Sequence, residues 1–169
     1  MLGLYQGREE RRLKITDALL GEHGVLYDLF SHLRNVAVTS GDLAEIRAAV
    51  AVVDKLLLAH ARVEEELLFP RLDPHLGQMG PLAVMRSEHR GIDGLLEAAR
   101  GETDIASLKG LVGRLIELAS GHFRKEETVL FGMAEQFLGE DVLAELGAQW
   151  AAARNVSLGG GGGGCGAFG

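Results

Sequence analysis

A ten-residue block that occurs twice restricts the fold and chemistry of this chain more than any other feature. HARVEEELLF begins at His60 and HFRKEETVLF begins at His122, and both fit the pattern H-x-R-x-E-E-x-x-L-F. In each block the histidine and the first glutamate are four residues apart, as in His60 with Glu64 and His122 with Glu126. At about 100° per residue, this spacing places an imidazole and a carboxylate on one face of a helix, one turn apart.

A weaker duplication lies upstream of the two blocks, because Glu22-His23 precedes the first and Glu88-His89 precedes the second. Each half of the chain therefore supplies two histidines and one glutamate, and inward-facing helices with such side chains can hold two metal ions. Four of the six histidines occur in matching order in the two halves. This order argues against the alternative that they are unrelated core histidines and that the two glutamates are ordinary surface residues. Nitrogen and oxygen donors without thiolates suit iron, manganese or zinc. The predicted metal ligands are His23, His60, Glu64, His89, His122 and Glu126.

The apolar pattern predicts an all-α protein, because apolar residues recur at three- and four-residue spacing and strand-like alternation is absent. Four long helices with short connections favour an up-down-up-down four-helix bundle, followed by a short fifth helix. We expect Pro70 to end the second helix and the segment RLDPHLGQMG to form a loop. The predicted helices run from Glu9 to Asn35, from Asp42 to Phe69, from Pro81 to Arg100, from Thr103 or Asp104 to Leu138, and from Asp141 to Arg154.

Composition limits the partners and the compartment. The net charge of -7 argues against a nucleic-acid partner, because a surface that neutralises phosphates needs basic residues. No apolar run approaches the roughly 20 residues that span a bilayer, and the N-terminus lacks the apolar stretch of a secretion signal. We therefore expect a cytoplasmic protein without a membrane partner. Residues 1–156 form one domain, and the glycine-rich residues 157–169, with Cys165, are expected to be a flexible tail.

Other polar residues near the six are assigned weaker roles. Glu65, Glu66 and Glu127 follow the ligand positions and are expected to rotate away into surface ion pairs, for instance with Arg62 or Lys125. Glu22 and Glu88 are also expected to lie off the helix face that carries the ligands. The alternative is that each makes a hydrogen bond to a ligand histidine. His32 and His75 are expected at the surface.

Tyr27 and Asp93 lie one turn beyond His23 and His89, on the same helix faces. The Tyr27 hydroxyl either donates a hydrogen bond to a molecule bound at the metals or is the solvent-exposed end of a core aromatic side chain. Asp93 is a further ligand, an acceptor for an imidazole N–H, or a carboxylate at the rim of the face. Both are candidate catalytic residues.

The H…HxxxE…H…HxxxE order and the two EExxLF segments resemble the hemerythrin-like family, the HHE cation-binding domains, over roughly Ile15 to Leu138. The resemblance implies a four-helix bundle with an oxo- or hydroxo-bridged pair of iron ions, in preference to zinc or manganese, on the six residues above. Oxygen-carrying hemerythrins have an additional histidine where this chain has Met85, and they end with HxxxxD instead of HxxxE. The four-histidine set is more similar to the branch with iron–sulfur-cluster repair proteins and members that respond to peroxide or nitric oxide.

These features favour a di-iron protein that binds or turns over peroxide, dioxygen or nitric oxide in stress response or sensing. As an enzyme it would be catalase-like or a nitric-oxide-directed oxidoreductase. The alternatives are reversible dioxygen binding without turnover, iron holding and donation or cluster repair, and a signalling module read by an unidentified protein partner.

Overall fold

A computed structural model describes residues 12–77 and 79–158, and this part of the chain is helical without strands. Two of its segments are single π-helical turns, which we call π1 and π2. The elements in chain order are α1 (Ile15–Thr39), α2 (Leu43–Val63), π1 (Glu64–Leu68), α3 (Phe69–Leu76), α4 (Pro81–Gly101), α5 (Ile105–Lys125), π2 (Glu126–Leu130) and α6 (Phe131–Ala153).

The helices form the up-down-up-down bundle that the sequence predicts. α1 packs against α2 and α5, and α4 packs against the same two helices. Two helices begin at the aspartates predicted as their starts, and each side chain caps its helix: Asp42 accepts a hydrogen bond from the Ala44 N–H at 2.8 Å, and Asp104 accepts one from the Ser107 N–H at 2.8 Å. We call α1 to α3 the first half and α4 to residue 138 the second half.

The core consists of two apolar clusters that occupy opposite ends of the bundle. One includes Leu33 of α1 and Ile46 of α2, and the other includes Leu19 of α1 and Leu72 of α3. His23, His60 and His89 lie between residues of the two clusters along α1, α2 and α4, and Glu126 does so just after α5. The polar side chains therefore form one layer with an apolar core on either side.

The first helix begins and ends later than predicted. Lys14 is extended, with ψ of 151°, and α1 begins at Ile15 and continues to Thr39. Thr16 and Lys14 both contact the carboxylate of Glu135, at 2.7 and 2.8 Å, which holds the chain at the helix start. The additional last turn buries Val36 and Ala37 in the core. The predicted start at Glu9 falls outside the described residues.

The prediction that Pro70 ends the second helix is wrong, and much of the predicted loop after it is helical. In π1 the Phe69 N–H bonds to the Glu64 carbonyl five residues earlier, and α3 continues through Pro70 to Leu76. Proline is tolerated at the first positions of a helical segment, where an N–H has no regular partner in any case. The wide turn before Pro70 creates such a position in the middle of a continuous helix.

The second half has the same π turn, and a further helical segment follows it. The Phe131 N–H bonds to the Glu126 carbonyl, and α6 then bends at Gly139, whose φ is +73°. Residues 140–156, which we call the terminal segment, include the predicted fifth helix. No helix in the described part is long and apolar enough to cross a membrane. The predicted tail with Cys165 lies, from residue 159 onward, outside the described residues.

Candidate metal centre

The structure brings the six predicted ligands together in the middle of the bundle. Each is at most 5% exposed, although all are polar or charged. They form two groups that could each hold a metal ion, and these groups share both glutamates. The first group is His23, His60, Glu64 and Glu126, and the second group is His89, His122, Glu64 and Glu126.

The two glutamates connect the groups with pseudo-two-fold symmetry. Glu64 lies with Oε1 at 3.4 Å from His60 Nε2 and with Oε2 at 3.3 Å from His89 Nε2. Glu126 lies with Oε1 at 3.1 Å from His122 Nε2 and with Oε2 at 3.3 Å from His23 Nε2. Each carboxylate therefore spans from a histidine of its own half to a histidine of the other half.

Four more carboxylates hold the outer nitrogens of the histidines. Within the first half Glu22 accepts from His60 Nδ1 at 2.7 Å, and within the second half Glu88 accepts from His122 Nδ1 at 3.1 Å. The other two cross between the halves: Glu65 accepts from His89 Nδ1 at 2.8 Å, and Glu127 accepts from His23 Nδ1 at 2.9 Å. A carboxylate on Nδ1 fixes the tautomer that leaves Nε2 free to bind a metal.

These contacts correct the prediction that Glu65 and Glu127 rotate away to the surface. The prediction applied the regular helical rotation past Glu64 and Glu126, but both pairs lie in π turns. The extra residue in a π turn changes the register of the side chains that follow. Glu66 does form the predicted ion pair with Arg62, at 2.7 Å. For Glu22 and Glu88 the alternative of a hydrogen bond to a histidine is confirmed. For Glu65 and Glu127, the repeated Glu-Glu pair was the sequence signal that could have revealed the contact.

The chemistry of the donor set fits a pair of cations. All four oxygens of Glu64 and Glu126 are buried without a hydrogen-bond partner among the described residues. Where an imidazole is neutral and its Nδ1 donates to its carboxylate, its Nε2 turns a lone pair toward these oxygens. His23 Nε2 and His60 Nε2 lie only 3.1 Å apart, and His89 Nε2 and His122 Nε2 lie 3.0 Å apart. Unpaired buried acceptors are costly, and a positive charge between them removes that cost.

In the metal-free chain a proton on a histidine can offset the charge of the carboxylates, and the pKa values of His60 and His89 are shifted in that direction. Burial opposes a charge on His60, but the carboxylates of Glu64 and Glu22 raise its pKa to about 10. The pKa of His89 is also raised, since the contacts with Glu64 and Glu65 outweigh its burial. Although burial alone would raise the pKa of Glu64, the charges of His60 and His89 hold it well below its usual range. Metals and protons therefore compete for the same nitrogens.

Aromatic rings enclose the histidines. Phe69 stacks on His89 with ring centroids 5.7 Å apart, and Phe131 stacks on His23 at 5.6 Å. These are the last residues of the two repeated blocks, and each covers a histidine of the other half. Phe123 stacks on the opposite side against His23, at 4.1 Å. The rings keep water away from the imidazoles and restrict their rotation.

The two candidate catalytic residues, Tyr27 and Asp93, lie at the edge of the site. The Tyr27 hydroxyl donates to Glu127 at 3.2 Å, and the burial of the phenol and the charge of Glu127 raise the Tyr27 pKa to about 12. Asp93 is exposed and accepts no hydrogen bond from the described imidazoles, whose Nδ1 atoms are held by other carboxylates. It lines a cavity of about 10 Å³ together with His60, His89 and His122.

The other two histidines lie at the surface, as the sequence predicts. His32 and His75 are exposed, although His75 is on α3 and its ring stacks on Phe137 at 5.4 Å. Met85 is buried in the apolar cluster next to the site.

Comparisons with known proteins agree with this geometry. The family described as Hemerythrin HHE cation binding domain matches residues 14–134, which is most of the chain. A protein named DNA nickase from Nostoc sp. is 28% identical over 151 residues, which cover 89% of this chain and 42% of that protein. The iron-sulfur cluster repair protein YtfE from Enterobacter sp. is 33% identical over 91 residues, which cover 46% of this chain and 41% of that protein.

The matched regions span about two fifths of the length of either relative. The relatives therefore contain substantial sequence that has no counterpart in this comparison. No solved structure matches the chain significantly.

Proposed function

Because the chain belongs to the hemerythrin HHE cation-binding domain family, we propose that it holds two iron ions and binds or turns over a small oxidant. The observation that carries the proposal is the set of buried, unpartnered oxygens of Glu64 and Glu126 among four imidazole nitrogens. Each iron would receive two imidazoles and an oxygen from each glutamate. Imidazole and carboxylate donors suit iron, and they leave room for exogenous ligands at both ions.

When bound, two irons would supply the electrons that reduce one peroxide to water and would regain them from a second peroxide, which is oxidised to dioxygen. Turnover of nitric oxide or dioxygen would take its electrons from an added reductant. The chain's own contribution is to fix the four imidazoles through Glu22, Glu65, Glu88 and Glu127. Outer partners of this kind raise the basicity of a ligand and keep it oriented. The two glutamates provide charge that offsets the two cations in a site without bulk water.

We propose that small ligands reach the centre through the cavity beside Asp93. Its volume of about 10 Å³ suits about one water molecule, and three of the four histidines line it. Asp93 is the exposed carboxylate of this cavity, so it is the candidate for passing protons between water and a bound ligand. Tyr27 is assigned the smaller role of orienting Glu127, which in turn holds His23.

The test begins with iron-loaded protein and three assays: oxygen evolution from peroxide, consumption of nitric oxide, and reversible spectral change with dioxygen. We expect one of these to depend on the metal and to be lost in Glu64→Ala and Glu126→Ala. Asp93→Asn is expected to slow turnover and to leave the iron content unchanged. Variants that lose their iron and keep full activity would contradict the proposal.

The alternative is iron holding and donation, as in the repair of iron–sulfur clusters. The observation in its favour is the similarity to a protein named for that repair. It predicts that reduced, iron-loaded protein transfers iron to a damaged cluster protein faster than a chelator removes it. Equal rates of transfer and of loss to the chelator would contradict this alternative.

We do not extend the nickase name to this chain. The named relative is covered over only 42% of its length, and a net charge of -7 is unfavourable for a phosphate-binding surface. We expect supercoiled plasmid to stay intact with the metal-loaded protein, and nicking that follows the metal content would contradict this expectation.

A further inference from the structure

One of the outer carboxylates, Glu22, belongs to a larger network than the other three. Its Oε2 accepts from His60 Nδ1 at 2.7 Å and from Arg154 Nη2 at 3.2 Å. Its Oε1 accepts from Trp150 Nε1 at 2.7 Å and from Arg154 Nε at 2.6 Å. The side chain of Glu22 is 18% exposed, so this carboxylate depends on protein donors more than on water. Glu22 therefore links the predicted ligand His60 directly to the terminal segment.

Arg154 also reaches the backbone beside the same histidine. Its Nη2 donates to the carbonyl oxygen of Ala59 at 2.8 Å, and Ala59 directly precedes His60 in α2. One guanidinium thus connects α1, α2 and the end of α6. A planar guanidinium with several donors is suited to such a three-way contact, whereas a lysine would supply a single ammonium.

The end of the helix fixes where Arg154 lies. Asn155 has a φ of +55°, the Asn155 N–H bonds to Ala152 O at 3.2 Å, and the Val156 N–H bonds to Ala151 O at 2.9 Å. This pattern of two backbone bonds ends helices in a defined geometry, with the left-handed residue just beyond the last turn. Surface cavities of about 260 and 390 Å³ lie on two sides of Arg154. Trp150 packs against the apolar cluster of Leu19 and Leu72, and Ala151 is buried, so the contacts of Arg154 add a polar attachment beyond this apolar packing.

We propose that Trp150 and Arg154 are positioning residues, and that docking of the last turn and metal occupancy at His23 and His60 stabilise each other. This inference rests on the proposed metal centre. A docked turn holds Glu22, and Glu22 holds His60 in the orientation that the metal needs. By reciprocity, a metal that fixes His60 favours the docked turn.

The chain contains its own probe, because Trp150 is its single tryptophan. Zn²⁺ is the metal used for the test, since it has no redox chemistry and accepts imidazole and carboxylate ligands. In the intact chain we expect two Zn²⁺ per molecule, and we expect one of the two binding steps to change the emission of Trp150. The affinities are measured by competition with a chromophoric chelator.

The decisive variant is Arg154→Gln, with Arg71→Gln as the matched control. Arg71 also binds the terminal segment, through Glu145 at 2.9 Å, and has no hydrogen bond to Glu22. We expect Arg154→Gln to weaken one of the two Zn²⁺ by about tenfold and to reduce the emission change. We expect Arg71→Gln to leave both Zn²⁺ affinities unchanged and Arg154→Lys to restore part of the loss.

Two results would overturn the coupling: unchanged Zn²⁺ affinities in Arg154→Gln, or equal losses in Arg154→Gln and Arg71→Gln. A general loss of stability would produce the equal losses. Failure of the metal centre itself has a different signature, because the intact chain would then bind fewer than two Zn²⁺ before any variant is compared.

Discussion

In the first half Glu22 holds His60 and is itself bound by Trp150 and Arg154, whereas in the second half the equivalent Glu88 holds His122 and pairs with Lys125. The side chain of Lys125 is 49% exposed and that of Arg154 is 23% exposed. The two halves therefore repeat the predicted metal ligands but differ in the residues that enclose them.

The other two outer carboxylates, Glu127 and Glu65, also differ in how well they are enclosed. Glu127 accepts from both His23 and Tyr27, and its side chain is 25% exposed. Glu65 accepts from His89, and its side chain is 46% exposed. The histidines of the first half are thus the better enclosed pair, because the terminal segment and Tyr27 lie on their side. The duplicated sequence explains why both halves carry the same predicted ligands. The terminal segment and Tyr27 explain why the histidines of the first half are better enclosed.

The largest effect is expected from changes to the two glutamates that both halves share. Glu64→Gln and Glu126→Gln each replace a carboxylate that spans both metal positions. We expect either change to reduce bound metal from two ions per chain to less than one, because glutamine brings no charge to offset the cations. Metal content after gel filtration measures this. A variant that cleanly retains one ion would contradict the shared positions of the two glutamates.

Metal removal is expected to reverse the effect of pH on stability. The folded pKa of His60 is raised from 6.5 to about 10, so its proton stabilises the metal-free protein below pH 6.5. That contribution is lost as the pH rises toward 10, so the melting temperature of the metal-free protein should fall over this range. Zn²⁺ binds deprotonated histidine, so the stabilisation by Zn²⁺ should grow over the same range.

Thermal melts of both forms at several pH values test this reversal. Parallel melting curves for the two forms would contradict competition between protons and metal at His60.

The equivalent outer carboxylates allow a direct comparison of the halves. We expect Glu22→Gln to lower the affinity for one metal by about 10- to 100-fold, and Glu88→Gln to lower it by less. Glu22 has Trp150 and Arg154 to hold it in place. Although burial alone would raise the pKa of Glu22, hydrogen bonds from His60, Arg154 and Trp150 lower it to about 2. Zn²⁺ competition titrations of the two variants give the ratio. Equal losses would show that the terminal segment adds nothing to the first half.

The smallest effect is expected from Tyr27→Phe. The change removes one hydrogen bond to Glu127 and leaves the bond from His23 intact. A single neutral donor to a charged acceptor contributes about 1.5–3 kcal/mol when fully buried, and the partly exposed Tyr27 should contribute less. We expect a slightly lower melting temperature and unchanged metal content. Loss of metal in this variant would mean that Tyr27 does more than orient Glu127.

The bundle and the clustering of the six predicted ligands could be predicted from the sequence because both depend on helical periodicity. His60 and Glu64 share a face whether or not the helix continues regularly after them. The sequence reasoning failed where the periodicity changes: the π turns at Glu64–Leu68 and Glu126–Leu130 bring Glu65 and Glu127 to the histidines. The same turns explain why Pro70 does not end its helix.

The contacts of Trp150 and Arg154 with Glu22 could not be predicted from the pattern either. They depend on the direction that the terminal segment takes after Gly139, where a positive φ redirects the chain. A hydrophobic pattern gives the docking face of a helix but not the tertiary position of its last turn.

The most direct test is the metal content of the unaltered protein, purified from iron-replete cells and measured by plasma mass spectrometry. The shared carboxylates of Glu64 and Glu126 predict two irons per chain. A single ion per chain, or a folded protein that takes up no metal, would contradict the two-metal centre on which this account depends.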